Sequence, residues 1–184
     1  VASDMTRRKF ILFASLLLLF VAGCQNKDNM NEQEPKPSMH SMQELCDLPK
    51  PFFAERFHVA NVVATSDLRP LTAEIGTIGG CTYQTEDKRY LGNIILRYSS
   101  AAAPSTSTGR RAGRTVRIDN VAVTEFIEPV PSSGAPDSQS PITLAASFQG
   151  WDGELGYYAK DSTDDATLRT GAQTLVNALR TLTN

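Results

Sequence analysis

The stretch Arg114-Thr115-Val116-Arg117-Ile118-Asp119-Asn120-Val121-Ala122-Val123-Thr124-Glu125-Phe126-Ile127-Glu128 decides the fold. Apolar and polar residues alternate at period two over Arg114–Ile118 and over Val121–Glu128, the mark of half-buried strands. Asp119-Asn120 between them has the chemistry of a two-residue hairpin turn. An antiparallel hairpin is therefore expected here. Working outward, Ile142–Gln149 and Glu154–Ala159 predict a second hairpin around Gly150-Trp151-Asp152-Gly153. Upstream, Cys81–Thr85 is β-prone, and Tyr90–Ser99 carries bulky apolar residues that suit a strand. Ala101–Gly113 and Pro129–Pro141 are rich in small residues and proline and are expected as loops.

Helices are expected at both ends. Leu168, Ala172, Leu175, Val176, Leu179 and Leu182 recur at spacings of three and four, which makes one apolar stripe. Ser162 and Asp165 have capping-box-like spacing before it, and Asp164 and Asp165 suit the positive end of a helix. This helix should lie on the sheet and close the core. Near the start, Pro49 and Pro51 disfavour one long helix, so a helical turn near Cys46 followed by a short helix over Phe52–Phe57 is expected. Ala60–Ala64 reads as a strand or a helix end. Asp67–Gly80, with Pro70, Gly76, Gly79 and Gly80, reads as loop with a brief extended piece. The fold class is α+β: a single domain with a mainly antiparallel twisted sheet, a short N-terminal helix and a packed C-terminal helix.

The address is written before the domain. Arg7, Arg8 and Lys9 form a positive region, Phe10–Val21 is apolar or small, and Val21-Ala22-Gly23-Cys24 closes it. This order is that of a secretory signal, and it resembles a bacterial lipoprotein signal ending in a lipobox. The run is shorter than the ~20 residues a spanning helix needs. Residues 1–23 are expected to be removed, leaving Cys24 as an acylated N-terminus. The plainer alternative is an ordinary secretory signal with Cys24 unlipidated. Thr6-Arg7-Arg8-Lys9-Phe10-Ile11 resembles a twin-arginine signal, while adjacent arginines and a leucine-rich core suit the general route equally. Val1–Asp4 precede a plausible start at Met5. Residues 24–43 are polar, contain Pro35 and Pro37, lack apolar periodicity and read as a flexible tether that includes His40. The extracytoplasmic domain is expected over 44–184.

Removing residues 1–23 leaves 161 residues with 15 Lys and Arg against 19 Asp and Glu, a formal charge of −4. That balance gives no electrostatic footprint for nucleic acid. The expected partners are the membrane, through the lipid on Cys24, and an envelope protein, lipid or glycan. Besides Cys24, only Cys46 and Cys81 remain, and an exported chain lives where disulfides persist. A Cys46–Cys81 bridge is the only intramolecular pairing left. A redox pair or metal ligation is the alternative, although neither cysteine sits in a C-x-x-C motif.

The lipobox, the polar tether, Glu44-Leu45-Cys46-Asp47-Leu48 and then Gly79-Gly80-Cys81-Thr82-Tyr83 together resemble a family of small actinobacterial lipoproteins of unknown function. That family shows Cys-x-Leu near the domain start, Cys-Thr-aromatic later, and a final amphipathic helix. Tyr83 stands where the family usually has tryptophan. The resemblance covers residues 24–100 and, more loosely, the last helix. It implies an envelope lipoprotein with an α+β domain and supplies no catalytic residues.

No G-x-S-x-G, S-x-x-K, P-loop or dinucleotide fingerprint is present, and no His/Cys/Asp cluster has zinc spacing. No catalytic residue, metal or cofactor is expected. His58 beside a short helix is read as structural. Asp161, Asp164 and Asp165 are read as helix-capping rather than calcium ligands, and Glu125 and Glu128 as a solvated face. Two features point to binding. Arg110, Arg111, Arg114 and Arg117 bring four positive charges within eight residues, suited to an anionic headgroup, a phosphorylated glycan or an acidic partner. Trp151 in a glycine-flanked turn, with Tyr157 and Tyr158 beyond, suits ligand contact. Against these stand a solvated edge for the arginines and simple burial for the tryptophan. The function expected is a membrane-anchored, non-catalytic binding or interaction module, with an accessory envelope lipoprotein as the alternative and an envelope enzyme as the third reading.

Overall fold

The computed structural model describes residues 36–66, 68–99, 110–128, 139–160 and 164–183. The proposed signal, Cys24, most of the expected tether and most of the two expected loops lie outside the described residues, while 111–113 and 139–141, expected as loop, extend the neighbouring strands. In chain order the elements are β1 (Ser38–Ser41), α1 (Met42–Asp47), α2 (Lys50–Phe57), β2 (Val63–Thr65), β3 (Glu74–Gly76), β4 (Ile78–Gln84), β5 (Tyr90–Tyr98), β6 (Arg111–Ile118), β7 (Val121–Ile127), β8 (Gln139–Phe148), β9 (Trp151–Lys160) and α3 (Asp165–Leu182). Seven strands form one sheet in the order β2-β4-β5-β9-β8-β7-β6, and β1 pairs with β3 separately. Every pairing among the described residues is antiparallel. The class is α+β, with strands predominating.

The first hairpin forms as its alternation predicts. Ile118 pairs with Val121, and Asp119 and Asn120 both take positive φ, 44° and 70°. A two-residue turn with both central residues left-handed matches the twist of the flanking strands. The second hairpin is tighter than expected. Its turn is Gln149-Gly150, with φ of 49° and 81°, and Phe148 pairs directly with Trp151. Trp151 therefore belongs to a strand. Pairing runs this far because the Trp151 ring buries against the core and Ser147 Oγ donates to Asp152 Oδ1 at 2.6 Å across the strands.

Alternation sorts the sheet into two faces. Cys81, Ile94, Leu155, Leu144 and Glu125 are successive neighbours across β4, β5, β9, β8 and β7. This side is covered by the helices, and the six stripe residues of α3 are all buried there. Burying such side chains is worth about 1.5–3 kcal/mol each. Arg180 Nη1 donates to Asp119 Oδ2 at 3.0 Å, which ties the end of α3 to the first hairpin turn.

The Cys46–Cys81 disulfide is present, with Cα atoms 5.4 Å apart, and it joins α1 to β4. Tyr83 fills the core beside it. Its ring stacks on Phe53 at 4.3 Å, and burial pushes its phenol well above the usual range.

Ordered structure starts earlier than Glu44. Ser38–Ser41 pairs with β3, Met42 is fully buried, and Ser38 Oγ donates to the Leu182 carbonyl at the end of α3. Ser41 caps α1: Glu44 N–H donates to Ser41 Oγ at 3.2 Å, and Ser41 N–H donates to Glu44 Oε2 at 2.7 Å. His40 is a β1 residue, with Nδ1 3.3 Å from Glu44 Oε1. Gly79 and Gly80, expected in a loop, lie in β4. A side chain at Gly79 would collide with Leu45 and Ile75, so the glycine lets α1 and β3 close onto the sheet.

At α3 the N-cap is Asp164, whose side chain accepts from Thr167 N–H at 2.9 Å. Ser162 lies outside the described residues. The Thr167 N–H and hydroxyl hold the Asp164 carboxyl below the usual aspartate range. A depressed carboxyl contributes stability that is present above its unfolded value and lost as pH falls through the folded one. Asp164→Ala should therefore cost about 1 kcal/mol at neutral pH. The gap from the parent should narrow below about pH 4. Urea unfolding at pH 7 and pH 3 measures both values, and a pH-independent gap would show that the cap is not the carboxylate.

Candidate functional site

Among the described residues no helix packs on the other face of the sheet, and a cleft lies there over β5, β9 and β8. Its volume is about 260 Å³, and Tyr90, Asn93, Arg110, Glu128, Glu154 and Tyr158 line it. Alternation places the residues. Asn93 pairs with Gly156, and Ile95 with Glu154, so these sit opposite the row that faces the helices. Tyr158 follows the buried Tyr157 in β9 and so points the other way.

Tyr90 and Tyr158 form the rim. They are 44% and 38% exposed, and their rings meet edge to face at 5.8 Å. Tyr90 Oη donates to Asn93 Oδ1 at 3.1 Å. The Tyr90 phenol is pushed up to about 12 by burial and by Tyr158, so it stays protonated at neutral pH. The Asn93 amide occupies the space that a side chain at Gly156 would fill.

Arg110 crosses the cleft between two carboxylates. Its Nε is 2.9 Å from Glu128 Oε1, and its Nη1 is 3.3 Å from Glu154 Oε2. Two carboxylates against one guanidinium leave a local charge of about −1. The pairs also hold the planar fork in one orientation, while an arginine has five N–H donors in all.

The four arginines do not gather into one patch. Arg110 lies on the open face. Arg114 lies on the helix side, with Nε 3.3 Å from Glu125 Oε2 and Nη1 bonded to Asp165 at the start of α3. Arg111 and Arg117 are exposed positions of β6. Glu125, expected on a solvated face, is only 1% exposed. Period-two alternation puts it with Val123 and Ile127 on the apolar side, and Arg114 supplies its partner. Its Oε1 has no hydrogen bond among the described residues. Trp151 is 1% exposed and packs edge to face on Tyr98 at 5.6 Å. Its ring is core, and the exposed aromatics among the described residues are Tyr90 and Tyr158.

A second groove of about 290 Å³ lies between α2 and the start of α3, lined by Phe52, Arg56, His58 and Asp164. Asp164 is already engaged as the helix cap there. His58 is exposed at the left-handed C-cap of α2. No group of three or more His, Cys, Asp or Glu able to hold a metal occurs among the described residues.

No protein-family model, no curated protein and no solved structure matches the chain. Among the described residues, no helix is long and apolar enough to cross a membrane.

Proposed function

We propose that this chain is a lipid-anchored, extracytoplasmic, non-catalytic binding module, held to the membrane through Cys24. The observation that carries the reading is the ordered signal from Arg7 to Cys24: charge, apolar run, then Val21-Ala22-Gly23-Cys24. The Cys46–Cys81 disulfide agrees with an oxidising compartment. The cleft on the helix-free face is the binding surface of this reading. Concave sites with a few convergent polar groups are where small ligands are held. An accessory role in an envelope complex is the alternative, and a flat apolar contact surface would favour it.

The test is Cys24→Ser. The variant should appear in the soluble extracytoplasmic fraction or accumulate as an uncleaved precursor, while the parent sediments with membranes. Parent-like processing and membrane retention of the variant would remove the lipid anchor from the function.

A further inference from the structure

From the cleft itself we infer that the helix-free face of the sheet binds an uncharged sugar ring of a glycan, stacked on Tyr158 and hydrogen-bonded by the Arg110–Glu128–Glu154 group. The inference rests on the binding-module reading and specifies its ligand class.

Three properties of the cleft lead there. The first is charge. Arg110 is offset by two carboxylates, and the excess carboxylate repels phosphate, sulfate or a sugar acid. The second is the mixture of surfaces. A pyranose has an apolar C–H face and a rim of hydroxyls, each both donor and acceptor. The cleft offers two part-exposed tyrosines beside a guanidinium, a side-chain amide and two carboxylates. A lipid chain would offer no partner to the guanidinium N–H groups and carboxylate lone pairs beyond the Arg110–Glu128 and Arg110–Glu154 pairs, at a cost of about 1–3 kcal/mol for each polar group so buried. The third is place and size. Extended peptides add to sheet edges through backbone pairing, whereas this cleft lies on the face over three inner strands. Its volume of about 260 Å³ falls just below the ~300–1,000 Å³ of drug-sized sites, a scale suited to one ring rather than a long chain.

The experiment is ligand-observed saturation-transfer NMR with the full chain in a sugar-free detergent. The probes are chitotriose, cellotriose, mannotriose, the acidic trimer of galacturonic acid, and a pool of lysine-containing hexapeptides. At least one neutral trimer should receive saturation, and the acidic trimer should not. Tyr158→Ala should weaken that binding about tenfold, and Tyr158→Phe should keep it, because the ring face rather than the hydroxyl does the stacking. An unchanged melting temperature shows that Tyr158→Ala is folded. Silence of all three neutral trimers overturns the sugar assignment. So does binding indifferent to Tyr158→Ala, or an acidic trimer bound as well as the neutral ones. If only the peptides bind, in a Tyr158-dependent way, the sugar assignment falls and the binding module stands. If nothing binds, the sugar assignment falls, and the anchored module is judged by Cys24→Ser. Micelle binding does not depend on the lipid at Cys24, so the result is separate from that of the anchor.

Discussion

Replacing Cys46 and Cys81 together with alanine should lower the unfolding free energy by about 4 kcal/mol. The bridge closes a separation of 35 residues, and the chain-entropy model assigns a loop of that length roughly 4 kcal/mol. Both cysteines are buried between α1 and β4, so loss of the sulfurs adds a small packing defect in the same direction. A typical domain has only about 5–15 kcal/mol in total. The double variant should therefore sit near the edge of folding at 37 °C. Guanidinium unfolding of the two forms gives the number. A loss below about 1 kcal/mol would mean that α1 is held to the sheet mainly by its packing.

Phe53→Ala should cost about 3–5 kcal/mol, the range for emptying a buried aromatic site. Phe53 is fully buried, stacks on Tyr83 at 4.3 Å and meets Phe52 at 5.2 Å. It fits because β5 has no side chain at Gly92: a Cβ there would lie 2.4 Å from the Phe53 ring and 2.2 Å from the Gly156 carbonyl. The second contact is backbone of a neighbouring strand and cannot swing away. Gly92→Ala should therefore fail to rescue Phe53→Ala, despite the space the lost ring leaves. Rescue, read as a recovered melting temperature, would show that the strands part easily and that the ring alone sets the close approach.

The strands and the last helix were legible because their signals are local. Val116 and Ile118 alternate with the polar Thr115 and Arg117, and the α3 stripe repeats at three and four. The turn at Asp119-Asn120 follows from residues that tolerate left-handed backbone. The misplaced turn before Trp151 shows the limit. Glycine at 150 and 153 suggests a wide loop, but burial of the indole extends the pairing to the last residue before Gly150 and Gln149. Ser41 and Glu44 stood at capping-box spacing in the sequence. Assigning the polar stretch before Glu44 to a tether hid that signal.

The cleft was less legible because its residues converge only through pairing register. Asn93 is distant in sequence from Glu154 and Tyr158 and shares their face through the β5–β9 pairing. Arg110 was visible as a charge, but not its two carboxylate partners. Their presence turns an apparent anion site into one with excess negative charge. Glu125 could have been assigned from alternation alone, since it keeps step with Val123 and Ile127. Its carboxylate made a solvated position look natural, and its partner Arg114 comes from the bulged neighbouring strand.

The most direct measurement of the membrane-anchored reading is the mass of the N-terminal peptide of the protein extracted from membranes of the cells that make it. The expected species begins at Cys24 and carries diacylglycerol on its sulfur, with residues 1–23 gone. A peptide beginning at another residue, or an unmodified Cys24 on a membrane-bound chain, contradicts it.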